Sequence, residues 1–300
     1  MTRTRPAELA DAARRSIPSI PLAALLLATL ATFGSSGAAR ADTVTIKGSD
    51  TMVILAQRWI EQYKRAHPEA VLQLTGGGSE TGIAALTNGT TDIAAASRPM
   101  TDAEVARAEA RHGQRIEQIP VAYDALAIIV HESNPITTLS LPDLARIFRG
   151  EVHDWAEIGG KDAPIALYGR DHNSGSWAFL RHQVLHDEDF SLDVLNLVGT
   201  ASIVDSVAKD PNGIGYGGIA YAAGLKNLAL AKDAGSPPVA ATVQNVRNGS
   251  YPLSRKLWFH VAQPYDDDVA RFLAWVASPA GQSVVSEVGF YPLQSGPAGS

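Results

Sequence analysis

The stretch VLQLTGGGSETGIAALTNG, Val71 to Gly89, changes structural period partway along. Val71 to Leu74 alternates like a strand, and Ile83 to Asn88 suits a short helix. Three glycines and Ser79 stand at the handover. Junctions of this kind hold phosphates in dinucleotide and nucleoside-triphosphate sites, but neither spacing is met. There is no G-x-G-x-x-G with an acid about twenty residues on, and no G-K-[ST] follows. The stretch indicates close backbone approach to an anion without naming the anion.

The same rhythm extends in both directions. Upstream, Val44 to Ile46 reads as a strand, and Met52, Leu55, Trp59, Ile60 and Tyr63 fall at helical spacing before His67-Pro68. Downstream, DIAAAS (Asp92 to Ser97) is a further apolar stretch, and Thr101 with Glu104 forms a capping box for a helix to about Arg111. This βαβα order predicts an α/β domain with a mostly parallel sheet. Val121 to Val130 is a continuous apolar run, read as a buried strand. A second α/β unit follows, with helices near Leu141 to Phe148, Trp177 to Leu185 and Ser202 to Ala208. Asp210 to Gly213 is a turn, and the GIGYGGIAYA after it is too glycine-rich for an ordinary helix. Leu257 to Val261 reads as a strand. Helices from Asp266 to Ala277 and Ser278 to Glu287 close the chain, the second with Pro279 in its first turn and Gly289 as its stop.

Residues 1–41 read as a cleaved secretory signal peptide. Arg3, Arg5, Arg14 and Arg15 precede an apolar run from Ile17 to Phe33, and Ala39-Arg40-Ala41 supplies an A-x-A cleavage signal. Arg14-Arg15 also admits a twin-arginine reading, although SIPSIP after it fits poorly. The expected product is periplasmic. With no cysteine in the chain it carries no disulfide and no lipid-modified cysteine. The net charge is −6, and removing the leader's arginines makes the remainder more acidic. No Lys/Arg cluster provides the basic face that nucleic-acid binding requires, so no nucleic acid is expected as a partner.

Three segments place small hydroxyl residues and glycine where a helix should begin: KGSDTM (Lys47 to Met52), GGGSETG (Gly76 to Gly82) and GRDHNSGSW (Gly169 to Trp177). A helix N-terminus presents unpaired N–H groups and partial positive charge, and a serine or threonine adds a neutral donor. Taken singly, each has a structural explanation, since Ser, Thr, Asp and Gly are the commonest helix caps. Three converging ends would make an anion site that needs little net positive charge.

Taken in order, TIKGSDTM, GGGSETGIAALTNGTTDIAAASRPM, LARIFRGEVHDWAEIGG, YGRDHNSGSWAFL and PNGIGYGGIAYA resemble the phosphate-binding PstS proteins of bacterial ABC importers. The resemblance implies a type II periplasmic binding protein, α/β in class, whose two lobes are joined by two crossing hinge segments and close on a ligand in the cleft. It implies one lobe from residues 42–124 plus 252–300 and the other from 125–251. Asp124 to Val130 would be the outward crossing and Tyr251 to Trp258 the return. It further implies phosphate-binding roles for Ser49, Asp50, Thr51, Ser79, Arg170, Ser174, Gly175 and Ser176, with Ser97 and Arg98 as additional candidates. Ser176 stands where the family often has threonine, which keeps the hydroxyl. The implied partners are inorganic phosphate and a membrane permease, for a monomer without cofactor, metal or catalytic residue.

One departure bears on selectivity. In the best-known branch of the family an aspartate follows the serine of the third motif and accepts the proton of phosphate; here that place is Arg98. Asp50 is a substitute acceptor that would repel fully ionised sulfate, or else only a cap for the first helix. Arg98 either contacts the anion or pairs with an acid elsewhere.

Other conspicuous residues read as structural. His182 and His186 have helix-ligand spacing without the glutamate of H-E-x-x-H. Asp266 to Asp268 suits a helix start. Trp155, Trp177, Trp258 and Trp275 read as core or hinge packing, and Glu80 should point away from the anion loop. The alternatives to phosphate capture are binding of sulfate, molybdate or tungstate, or a secreted phosphate-ester hydrolase. The hydrolase would need an activated nucleophile, and His172 is the sole base near Ser174.

Overall fold

The computed structural model describes residues 43–293, so the expected leader lies outside the described residues. The first elements alternate as expected: β1 (Thr43–Gly48), α1 (Val53–Ala66), β2 (Val71–Thr75), α2 (Ser79–Thr87), β3 (Ile93–Ala96) and α3 (Asp102–His112). The capping box of α3 is present, Thr101 accepting the Glu104 N–H and Glu104 accepting the Thr101 N–H. A long strand, β4 (Ile116–Val130), then leads out to β5 (Thr138–Ser140), α4 (Leu141–Phe148), β6 (Ala166–Arg170), α5 (Gly175–Gln183) and β7 (Leu195–Leu197). Next come α6 (Thr200–Lys209), β8 (Gly213–Gly218), β9 (Lys226–Asn227), β10 (Ala229–Ala231) and α7 (Val243–Arg247). The chain returns along β11 (Ser254–Ala262) and ends in α8 (Asp267–Ala277) and α9 (Pro279–Val288).

The strand order is β2-β1-β3-β11-β4-β8-β6-β7. β1 runs parallel to β2 and β3, and β6 runs parallel to β7 and β8. The centre differs from the mostly parallel expectation: β11 is antiparallel to β3 and β4, and β4 is antiparallel to β8. The cause is connectivity. β4 carries the chain from one lobe to the other and β11 brings it back beside β4, so the two must run in opposite directions. Their register slips between Leu257 and Trp258, where Ala122 and then Pro120 stand opposite and Val121 is the extra residue. A proline has no N–H for the ladder, and a bulge accommodates it.

The glycine-rich run after Gly213 is strand β8. A Cβ on Gly215 would lie 2.5 Å from Ile203 Cγ2, so the glycines let α6 pack directly on the sheet. Helix α5 starts two residues before Trp177 because Ser174 caps it, accepting the N–H groups of Ser176 and Trp177.

Each lobe has its own apolar core. Val44, Ile46, Leu55, Trp59, Val121, Ala122, Leu257, Phe259, Phe272 and Val285 pack in one cluster. Leu126, Ile128, Val130, Leu144, Phe148, Trp155, Ile214, Tyr216, Tyr251 and Leu253 pack in another. Both clusters draw on β4 and on the β11 region, whose side chains change allegiance midway. This is a two-lobed α/β binding-protein fold with paired crossing strands. No helix among the described residues is long and apolar enough to cross a membrane.

Candidate functional site

The site begins where β1 ends. Gly48 has φ of +140°, and a Cβ there would fall 2.1 Å from the Ala95 carbonyl oxygen. This close approach lets the Ser49 N–H donate to Ala95 O at 2.8 Å and seats Ser49 and Thr51 in buried positions. The glycine turn docks on the same loop: Gly78 N–H donates to Gly48 O at 3.0 Å and Gly77 N–H to Asp50 Oδ1 at 2.8 Å. Gly77 and Gly78 have φ of +116° and +95°, a region L-residues with side chains rarely adopt. Asp50 therefore does not cap its own helix with its side chain; its carboxylate ties the first loop to the glycine turn and to the opposite lobe.

From the opposite lobe, β6 delivers Arg170, which is 2% exposed. Its Nη2 donates to Asp50 Oδ2 at 2.5 Å and its Nη1 to Thr200 Oγ1 at 3.3 Å, while Nε is buried without a hydrogen-bond partner. The Arg170 N–H donates to the Tyr216 hydroxyl at 3.0 Å, and burial pushes that phenol's pKa up. Beyond Arg170, the start of α5 lies against the first lobe. A Cβ on Gly175 would sit 2.3 Å from Ser79 Oγ and 2.5 Å from Ser97 Oγ. The Glu80 N–H donates to Asn173 O at 3.1 Å, and Thr51 Oγ1 is 3.1 Å from Ser176 Oγ. Ser79 Oγ accepts the Ser97 N–H at 3.1 Å.

The structure thus gathers the three expected helix starts, together with Ser97, at one interface between the lobes, all of them largely buried. Arg98 leads elsewhere: its Nη1 and Nη2 each meet a Glu104 carboxylate oxygen at 2.7 Å, and Nη1 also donates to Pro99 O. Burial tends to raise the Glu104 pKa, but the Arg98 fork and the Thr101 N–H outweigh it and hold the carboxyl below its ordinary value. Glu80 is exposed, and His172 is exposed beside the buried Ser174.

Several groups at the site escaped the sequence reading. Tyr221, whose hydroxyl burial pushes up to about 12, donates to Asp50 O at 2.8 Å. Asp124 and Arg255 sit on β4 and β11 as cross-strand partners, with Arg255 Nε donating to Asp124 Oδ2 at 2.8 Å and Nη1 to Ser176 Oγ at 3.0 Å. Thr200 and Arg255 lie far along the chain from the residues they touch, so spacing carried no signal; for Arg255, only its place in the expected return crossing pointed there.

Chemically, each buried guanidinium already faces a carboxylate, Arg170 with Asp50 and Arg255 with Asp124. The remaining donors are hydroxyls and helix-start N–H groups, which suits an oxyanion bound without large net charge. Among the described residues, no group of three or more His, Cys, Asp or Glu is placed to hold a metal ion.

Two compact lobes, crossing strands and a polar interface fed by helix N-termini define a substrate-binding protein. A sequence model of the PBP superfamily domain matches residues 34–280. The phosphate-binding protein PstS of Pseudomonas aeruginosa is 39% identical over 263 residues, 82% of this chain and 81% of that protein. Protein SphX of Synechococcus elongatus is 30% identical over 95% of this chain and 87% of its own length. Among solved structures, a phosphate ABC transporter substrate-binding protein from Clostridium perfringens, crystallised with phosphate, superimposes with a TM-score of 0.77 at 25% identity, covering 84% of this chain and all of that one. The chain belongs to the PBP superfamily and, within it, to the PstS-like phosphate-binding proteins.

Proposed function

We propose that this chain captures inorganic phosphate between its lobes in the periplasm and delivers it to the membrane permease of an ABC importer, as a monomer and with no bond made or broken. The names of its relatives support the ligand and the transport role. The observation that carries the reading is Arg170, buried with a free Nε, among the hydroxyls of Thr51, Ser79, Ser97, Ser174 and Ser176. Phosphate would take charge-assisted bonds from Arg170 and neutral bonds from those hydroxyls and the N–H groups at the starts of α2 and α5. Ser49, Asp50 and Gly175 complete the contact set. Residues 42–124 with 252–300 form one moving lobe and 125–251 the other, closure being the working step. Arg98 serves the first lobe through Glu104.

Asp50 has two oxygens and about four lone-pair sites. Gly77 and Arg170 occupy part of that capacity, and the rest would accept the proton of phosphate, an interaction sulfate cannot return. The experiment is calorimetric titration of the phosphate-stripped chain from Asp42 onward with phosphate and then sulfate. Tight phosphate binding without sulfate binding is expected. Binding of neither would overturn the phosphate assignment and turn attention to molybdate and tungstate.

A further inference from the structure

The two crossing strands meet at a buried ion pair. Asp124, on β4, and Arg255, on β11, are directly opposed in register. Their side chains are 0% and 2% exposed. Asp124 Oδ2 accepts Arg255 Nε at 2.8 Å and lies 2.7 Å from Nη2, while Oδ1 accepts the Ile219 N–H at 3.0 Å. The guanidinium carbon stands 5.5 Å from the centre of the Phe179 ring. Gly218 keeps this corner open: a Cβ there would lie 2.7 Å from Thr51 Cγ2 and 3.3 Å from both Asp124 oxygens. Burying two charges is costly unless their remaining capacity is used. Here part of that capacity is spent on Ser176.

Arg255 Nη1 donates to Ser176 Oγ at 3.0 Å. A guanidinium has no acceptor, so Ser176 Oγ must be the acceptor in this bond. The one hydroxyl proton of Ser176 is then turned away from Arg255. Thr51 Oγ1, on the other lobe, is 3.1 Å from Ser176 Oγ, and either hydroxyl can donate to the other. One lone pair of a ligand-facing hydroxyl is thus taken by a residue on the crossing strand.

We infer that Arg255, held by Asp124, is a positioning residue that occupies a lone pair of Ser176 and so leaves its hydroxyl proton as a donor toward the bound oxyanion. This rests on the phosphate-binding reading of the cleft. The ion pair joins the two crossing strands, Ser176 belongs to the second lobe and Thr51 to the first, so the occupied lone pair is tied to the geometry of the crossing. A serine without such a partner has both lone pairs free to meet an anion; here Arg255 already takes one of them.

The test is a double-mutant cycle read by phosphate calorimetry. One arm is the paired replacement Asp124→Asn with Arg255→Leu, which leaves no buried charge unpaired; the other is Ser176→Ala. The paired replacement should weaken phosphate binding about tenfold or more when Ser176 is present and by less than about threefold in the Ser176→Ala background. Arg255→Lys, a donor with no acceptor, should retain most of the affinity, and it keeps the question answerable if the paired variant does not fold. Equal losses in both backgrounds, or a loss with Arg255→Lys as large as with the paired replacement, would overturn the inference while leaving the phosphate reading intact. Failure of the wild-type chain to bind phosphate would remove both.

Discussion

Arg170 and Asp50 are joined across the cleft, Nη2 to Oδ2, at 2.5 Å, although 120 residues separate them in the chain. The buried Arg170 guanidinium is thereby balanced by a carboxylate of the opposite lobe. An oxyanion seated there meets a guanidinium that its own protein has partly neutralised, and the hydrogen-bond pattern gains weight relative to net charge.

Asp50→Asn should therefore change selectivity more than fold. The amide oxygen can still accept from Arg170 or Gly77, but the negative charge is gone. Phosphate-over-sulfate discrimination, measured by calorimetry with both anions, should fall about tenfold, in keeping with the loss of one hydrogen bond to a charged group. Unchanged discrimination would leave Asp50 as a counter-ion for Arg170 and nothing more.

Gly175→Ala should block closure. The new methyl would fall 2.3 Å from Ser79 Oγ and 2.5 Å from Ser97 Oγ, well inside contact distance, and both serines are buried. Ser79, Ser97 and Gly175 belong to none of the apolar clusters, so the melting temperature should move by only a few degrees, a ΔΔG of roughly 1 kcal/mol, while phosphate affinity drops about a hundredfold or more, a loss of ~3 kcal/mol.

Arg98→Met should separate stability from binding. Both terminal nitrogens of Arg98 are committed to Glu104 at 2.7 Å, so phosphate affinity should stay within about threefold of wild type. Stability at neutral pH should fall by roughly 1–3 kcal/mol, because a half-buried carboxylate loses its partner. The Glu104 carboxyl is held below its ordinary value in the folded protein, so the wild-type contribution is present above that value and disappears as pH falls through the lowered one. Urea unfolding from neutral to acid pH should show wild type and variant converging at the acid end.

His260 predicts a second pH effect. Burial pushes its imidazole down to about 4, outweighing the opposing effect of the nearby Arg98 backbone. An unfolded chain takes up the proton near the ordinary 6.5, while the folded protein resists it until about 4. Stability should be unaffected above pH 6.5, decline as pH falls toward 4, and level off below, a loss of about 3 kcal/mol in all. In His260→Phe, which keeps a flat ring beside Trp258, that part of the decline should vanish; an unchanged pH profile would contradict the burial argument.

Much of the architecture was legible in local sequence because each first-lobe element carries its own signal. The helical spacing of Leu55, Trp59 and Tyr63, the capping box at Thr101 and the continuous run to Val130 each correspond to an observed element. The second lobe was less legible. Its strands are short, and Gly213 to Gly218 builds a buried strand from a composition that normally argues against one. The mixed sheet could not be read from periodicity either, because strand direction at the centre is decided by where β11 returns. At the site, motif-borne residues such as Ser79 and Ser174 announced themselves through the glycine and hydroxyl residues around helix starts. Arg255, Thr200 and Asp124 did not, since a lone charged or hydroxyl residue in a strand or at a helix start has no local pattern that distinguishes it.

The strand order has a consequence for how the molecule comes to exist. β11 lies between β3 and β4, so the first lobe's sheet has a gap that only the last strand of the chain can fill. As the polypeptide emerges from its N-terminus, β3 and β4 each present an unpaired rim until more than a hundred further residues have appeared. The lobe begun first is therefore finished last. Pairings this distant in sequence are slow to form, and exposed rims invite wrong partners in the interval. Until that final insertion the cross-strand pairing of Asp124 with Arg255 cannot form.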